Sequence, residues 1–348
     1  GAELAERVLS VARHHRDGGL EVLGNVQLSL ARGWQGRAEE SLALAEQALA
    51  IYDPDRHQVL GRRFGTDQGV AAHVFAGWGH LVLGHLDRGL AELISAVELA
   101  EELGQPFNLA YALAFRATGH WERGESAETL RFAEAARGLA EEQGFDLWAG
   151  ISGVWAAAER VVSLGDHGAV ASVLDAGLVA GETGNRGGSS TVLARAAEAT
   201  RVAGDLDTTW ALLDLAASVS AETGQPWWDS SLHRMRAELH FDQADGAELA
   251  DGADLADGRA SGAALGDPGH PWSRAAEEWQ RSLEAAERFG YPVHGARAAA
   301  GYARLLQRVG RADEGCRLLE SWYHRCREGR DTPVLAAVRS ELEALSGR

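Results

Sequence analysis

Four glycines, Gly104, Gly144, Gly184 and Gly224, stand forty residues apart, and no other property of the chain restricts its fold as much. Their surroundings repeat as well: Gly104 opens Gly-Gln-Pro-Phe and Gly224 opens Gly-Gln-Pro-Trp. A second series, Gly84, Gly124, Gly165 and Gly204, runs at about the same period and falls midway between the first. Each repeat is thereby cut into two halves of about 16 to 18 residues, enough for one helix apiece.

The halves carry helical rather than strand periodicity. Leu90, Leu93, Ile94, Val97 and Ala100 fall on one helical face, and alternation of period two is nearly absent. Glycine suits the left-handed residue that ends a helix, and Pro106, Pro226 and Pro292 suit the first turn of the next. Gly77, Ala117, Ala158 and Ala197 each stand seven residues before a mid-repeat glycine, where a small side chain lets the partner helix come close. Helical pairs at this spacing stack on one another. The sequence therefore predicts an all-α, right-handed α-solenoid of about seven helix pairs, one repeat domain over 1–348, with Ala2–Arg16 and Pro333–Leu345 packed on its ends.

The period breaks twice. Between Gly33 and Gly84 the interval is 51, and the excess falls on Tyr52-Asp-Pro-Asp-Arg-His-Gln-Val-Leu-Gly61, read as a long ordered loop. Between Gly224 and Gly290 it is 66, and the excess matches an Ala/Gly/Asp-rich stretch, 242–270, with a net charge of −6 and few apolar residues. That composition predicts a flexible acidic insert or a frayed helix whose removal costs the array little.

Composition removes several chemistries. All 33 basic residues are Arg, so a P-loop lysine, a Schiff-base lysine and a kinase-type lysine are impossible within this chain. The net charge of −18 repels nucleic-acid phosphates and anionic membrane surfaces. Gly1-Ala2-Glu3-Leu4 carries no signal-peptide pattern, and no run of 18 apolar residues occurs, so the expectation is a cytoplasmic chain. The absent initiator Met points to a piece of a longer polypeptide or to removal of that residue. Cys316 and Cys326, ten residues apart, are read as reduced structural thiols.

No metal, cofactor or catalytic centre is expected. His73/His80 and His233/His240 are spaced seven apart, about 10.5 Å along a helix, too far for one zinc. His80 and His120 share a repeat position and are read as core residues with a backbone hydrogen bond. Asp251, Asp254 and Asp257 lack the spacing of an EF-hand loop. Ser189 and Ser190, after Gly187-Gly188, are read as helix caps rather than an anion nest.

The forty-residue pairs resemble tetratricopeptide repeats in the long-helix form found in large bacterial signalling proteins. Tyr52-Asp-Pro-Asp-Arg-His, Gly65-Thr-Asp-Gln-Gly-Val-Ala and Leu103-Gly-Gln-Pro-Phe-Asn-Leu-Ala-Tyr resemble the C-terminal region of ATPase-linked (STAND-type) adenylate/guanylate cyclases and related transcriptional regulators. So do Trp228-Asp-Ser-Ser-Leu-His-Arg-Met-Arg-Ala-Glu-Leu and the tail Trp322-Tyr323, Glu328-Gly329, Asp331-Thr332, where Cys326-Arg327 replace Phe-Thr. The resemblance implies a non-catalytic sensor or scaffold that binds a protein, a peptide or a small effector in its groove and relays this to an NTPase, cyclase or regulator domain.

By the same analogy, groove positions lie thirteen, ten, six and three residues before each mid-repeat glycine. The side chains so nominated are Trp78, Tyr111, Trp121, Trp155, Glu159, Glu198, Arg201, Arg297 and Arg304. Two other classes remain open: a structural oligomerisation arm, and an enzyme in which Glu159, Glu198 and Arg201 form an acid/base site.

Overall fold

A computed structural model describes residues 1–250, 265, 267 and 270–347. Among them are seventeen α-helices and no strand. The chain divides into two compact units, Gly1–Trp227 and Trp228–Arg348.

In the first unit α1 (Ala2–His15) packs on α2 (Gly18–Trp34), which pairs with α3 (Ala38–Ile51). After α4 (Pro54–Phe64) come four more antiparallel pairs: α5 (Gln68–Val82) with α6 (Leu86–Leu103), α7 (Pro106–Arg123) with α8 (Ser126–Gln143), α9 (Asp146–Leu164) with α10 (Val170–Glu182), and α11 (Ser189–Val202) with α12 (Leu206–Thr223). The second unit holds α13 (Asp229–Ala250) with α14 (Ser273–Phe289) and α15 (Pro292–Arg308) with α16 (Ala312–Tyr323), closed by α17 (Pro333–Leu345) on α15 and α16. These are the seven pairs and two end helices that the repeat period predicts.

The glycine series does what its spacing implies. Gly124 and Gly144, which end α7 and α8, have φ of 77° and 72°, and their amides close the last turns onto Trp121 and Glu141 carbonyls. Any other L-residue is strained there. At the small position of α5, a Cβ on Gly77 would lie 2.8 Å from Leu93 Cγ and 2.9 Å from the Gly89 carbonyl, so the α5·α6 contact requires glycine. Ala117, Ala158 and Ala197 take that place in the next pairs and are buried. In the first pair the position is Ser29, which exchanges hydroxyl-to-carbonyl bonds of 2.7 and 2.8 Å with Ser41. Ser230 and Ser282 repeat the exchange between α13 and α14 at 3.0 and 2.6 Å. Two close-packed backbones thus tolerate hydroxyls because each finds an acceptor across the interface.

The segment read as a long loop is instead the helix α4. Asp53 caps it by accepting from the Asp55 amide, and Pro54 sits at its first position, where a missing N–H costs nothing. Its exit is pinned through Asp67, whose carboxylate accepts from the Gly69 and Val70 amides and from the Tyr52 hydroxyl. The Asp67 amide in turn donates to Asn108 Oδ1 at 2.9 Å.

The acidic stretch 242–270 lies for the most part outside the described residues, and its reading as a flexible insert with it. Its first residues continue α13 to Ala250, and Asp245 pairs with Arg308. Leu265 is buried in the cluster around Trp272 and Trp279. A deletion from Gln243 to Asp267 would remove these contacts, so the expectation of a costless removal does not extend to the ends of the stretch.

Cys316 and Cys326 do not share a helix, since α16 ends at Tyr323; both are free thiols. Cys326 is fully buried, and burial pushes its thiol up to about 12. Its side chain therefore fills a core position.

Candidate functional site

The first helices of the pairs in the first unit, α2, α5, α7, α9 and α11, present one wall of aromatic rings. Together with Trp227, which follows α12, they line a half-open cavity of about 270 Å³, walled by Trp34, Phe75, Trp78, Tyr111, Phe115, Trp148, Trp155 and Trp227 along with Leu30, Gln68, Thr118, Ile151 and Thr191. Not one lining side chain is charged. The rings brace one another edge to face: Trp78 and Trp227 are 4.5 Å apart between centroids at 80°, and Tyr111 and Trp148 are 5.1 Å apart at 67°. Such contacts hold each ring in one orientation and add to the apolar burial.

The polar side chains of this wall are indoles, hydroxyls and carboxamides. Tyr111 is 6% exposed and makes ring contacts with Phe115 and Trp148. Burial alone pushes its phenol far above the ordinary tyrosine value. The indole nitrogens of Trp148 and Trp155, the Thr191 hydroxyl and Gln68 Oε1 are buried with no hydrogen-bond partner among the described residues. Helix α11 begins at this wall, with Gly187 and Gly188 lining it. Its N-cap is Gly188, and neither Ser189 nor Ser190 caps it, because the Ser189 hydroxyl donates to the Asn185 carbonyl instead. The capping role read for these serines is thus replaced by a glycine with φ of 71°.

Of the nominated residues, the structure brings Trp78, Tyr111 and Trp155 into the cavity. Trp121 stands behind it, 5.9 Å from Trp155 and edge-on to it. Glu159 is not a groove residue: it is 3% exposed and ion-paired with Arg195, and it also accepts from the Ser163 hydroxyl. Glu198 pairs with the same guanidinium at 2.6 Å. Both carboxylates are thus held by one arginine. Arg201 is half-buried on the last turn of α11, and Arg297 and Arg304 stand on α15 of the second unit.

From Gly84, Gly124, Gly165 and Gly204 the counting rule fails three residues before the glycine, since Leu81, Trp121, Val162 and Arg201 all miss the cavity. It omits a position nine residues before, which places Phe75 and Phe115 in the wall and Arg195 beneath it. Counting back from Gly36 would have found Val26, Leu30 and Gly33. Trp148 and Trp227 enter from first turns, a register that the rule does not sample.

The histidines read as core residues are buried, and for His120 a side chain takes the place of the expected backbone partner. His120 Nδ1 is 2.6 Å from Glu125 Oε2, and the ring stacks on Phe132. His80 faces His85 with 3.4 Å between Nδ1 atoms. His73 pairs with Glu92 and His233 with Glu278. No group of three metal-binding side chains occurs among the described residues, and no described helix is long and apolar enough to cross a membrane.

No family model matches the sequence, and no curated protein matches it. Among the 25 solved chains that do match is a Rap protein complexed with competence and sporulation factor. It is 10% identical, with a TM-score of 0.50, and the match covers 94% of this chain and 98% of that one. The likeness shows the fold: a tetratricopeptide-like helical-repeat architecture.

Proposed function

We propose that the chain is a non-catalytic sensor or scaffold module that binds a peptide, protein segment or small effector through an apolar group seated in the aromatic cavity of the first unit. The observation that carries this reading is the uncharged wall of rings, because concave sites lined by aromatic side chains are where recognition energy concentrates. A helical-repeat protein of like fold is complexed with a factor, which supports a binding role. Trp78, Tyr111 and Trp155 contact the ligand in this reading; Trp121 and the Glu159–Arg195–Glu198 cluster hold the wall behind them. The resemblance to ATPase-linked cyclases further supports relay of the bound state to an NTPase, cyclase or regulator domain. Reading the coding sequence that flanks this segment tests that part.

The test of binding is a panel of apolar peptides and small molecules, scored by thermal shift and equilibrium dialysis against the full chain and against Trp78→Ala and Trp155→Ala. Ligands held by the parent chain and lost by both variants support the reading. A panel that yields no ligand, or ligands indifferent to both substitutions, would sink it.

An oligomerisation arm is the second reading, favoured by Leu178 and Leu215, 67% and 51% exposed beside an apolar surface groove of about 710 Å³ in the first unit. Light scattering that finds dimers dispersed by Leu178→Glu would favour it.

A further inference from the structure

Building on the groove-binding reading, we infer that the cavity's ligand is a small, electrically neutral molecule that joins an apolar body to a hydrogen-bond-accepting carbonyl. The class includes aryl ketones, esters, lactones and tertiary amides.

Three observations converge on it. The first is charge: no lining residue is charged, so a carboxylate or ammonium seated there would lose its water without a counter-ion. The net charge of −18 further opposes the approach of anions. The second is the balance of polar atoms. Tyr111 and Trp78, 6% and 5% exposed, make ring contacts but no hydrogen bond among the described residues. The Trp148 and Trp155 indoles, donors only, are also unpartnered, as are the Thr191 hydroxyl, which can donate or accept, and one acceptor, Gln68 Oε1. A buried indole N–H left unpaired costs about 1–3 kcal/mol, which an incoming acceptor relieves and an incoming donor does not. An organic cation would be attracted by the ring faces but would leave the unpaired indole N–H groups without an acceptor. The third is size. About 270 Å³ sits at the lower edge of small-molecule pockets and holds a bicyclic body rather than a folded segment.

The test uses four naphthalenes of one size on the full chain, by equilibrium dialysis: 2-acetylnaphthalene, 2-ethylnaphthalene, 2-naphthoate and 2-naphthyltrimethylammonium. The ketone is expected to bind about tenfold more tightly than the hydrocarbon, the worth of one good hydrogen bond, and more tightly than either ion. Tyr111→Phe, which keeps the ring, should shrink the ketone-to-hydrocarbon ratio at least threefold. In the parent chain, the ketone but not the hydrocarbon should move a cavity indole N–H resonance downfield. Equal binding of ketone and hydrocarbon overturns the inference and leaves a merely apolar groove. Tightest binding by either ion overturns it in favour of a charged ligand. If none of the four is held, the inference falls, and the separate peptide and small-molecule panel decides the groove reading.

Discussion

The indole of Trp34, at the end of α2, lies with its centroid 5.1 Å from that of Trp227, the last residue of the same unit. Trp34 also covers the start of α11, where a Cβ on Gly188 would come within 3.1 Å of its ring. Three intervening pairs therefore coil far enough for the first pair to meet the end of the last. Trp78 completes the contact, 6.2 Å from Trp34 and 4.5 Å from Trp227. These three rings form one side of the cavity, so closure of the unit and shape of the site have the same cause.

Truncating the buried Trp227 to alanine should therefore destabilise the first unit by about 3 kcal/mol, the usual cost of emptying a buried aromatic site. Urea unfolding followed by tryptophan fluorescence would show that unit's transition moved to lower denaturant. It should also abolish ligand capture by the cavity. Unchanged unfolding would mean that the closure contributes nothing to stability.

Much of this architecture was legible because one residue type was forced. A helix that ends in a left-handed residue needs glycine, so Gly104, Gly144, Gly184 and Gly224 record the repeat directly. The helix α4 was not legible, because Asp53 and Pro54 signal a turn and a helix start equally well. Within the site, Trp78, Tyr111 and Trp155 follow from the period, whereas Trp34 and Trp227 meet only through the summed rotation of five pairs, which no local pattern encodes. Arg195 was missed for another reason: it occupies the position held by Phe75 and Phe115 in earlier repeats, and only contact with Glu159 shows that a charge is buried there.

The same substitution should have opposite effects at two glycines of one hairpin. Gly124, with φ of 77°, ends α7, and Gly124→Ala should cost about 1 kcal/mol because an L-residue is strained there. Gly138 lies inside α8, exposed, with no atom within 4 Å of an added Cβ. Gly138→Ala should stabilise by about 0.5–1 kcal/mol through helix propensity. Thermal melts of the two variants, read side by side, check the signs.

Stability should fall on mild acidification, in part through His120. Burial lowers its pKa below the ordinary 6.5, against the opposing pull of its bond to Glu125. The folded state then binds this proton less readily than the unfolded chain does. The contribution is present above about pH 6.5 and is lost as pH falls through the depressed folded value. His240 shifts in the same direction, again chiefly by burial. The loss of unfolding free energy between pH 7.5 and pH 5.0 should be smaller in His120→Gln than in the parent chain. Equal losses in both would show that His120 is not a source of the pH dependence.

The Arg195 cluster offers a test of what a buried charge contributes. Arg195 is 1% exposed; it pairs with Glu159, pairs with Glu198 at 2.6 Å, and sets its guanidinium 5.5 Å from the Trp121 ring. Arg195→Met removes the only cation paired with the buried Glu159 among the described residues and should cost about 3–5 kcal/mol, the penalty for an ion left without its partner in the interior. Glu159→Gln with Arg195→Met removes both buried charges, and most of that penalty should disappear, because the Ser163 hydroxyl can still donate to the amide oxygen. A double-mutant cycle on the first unit's unfolding transition gives the coupling directly. Coupling near zero would mean that the two charges do not sense each other, and the wall behind Trp155 would then be held by the packing of Trp121 alone.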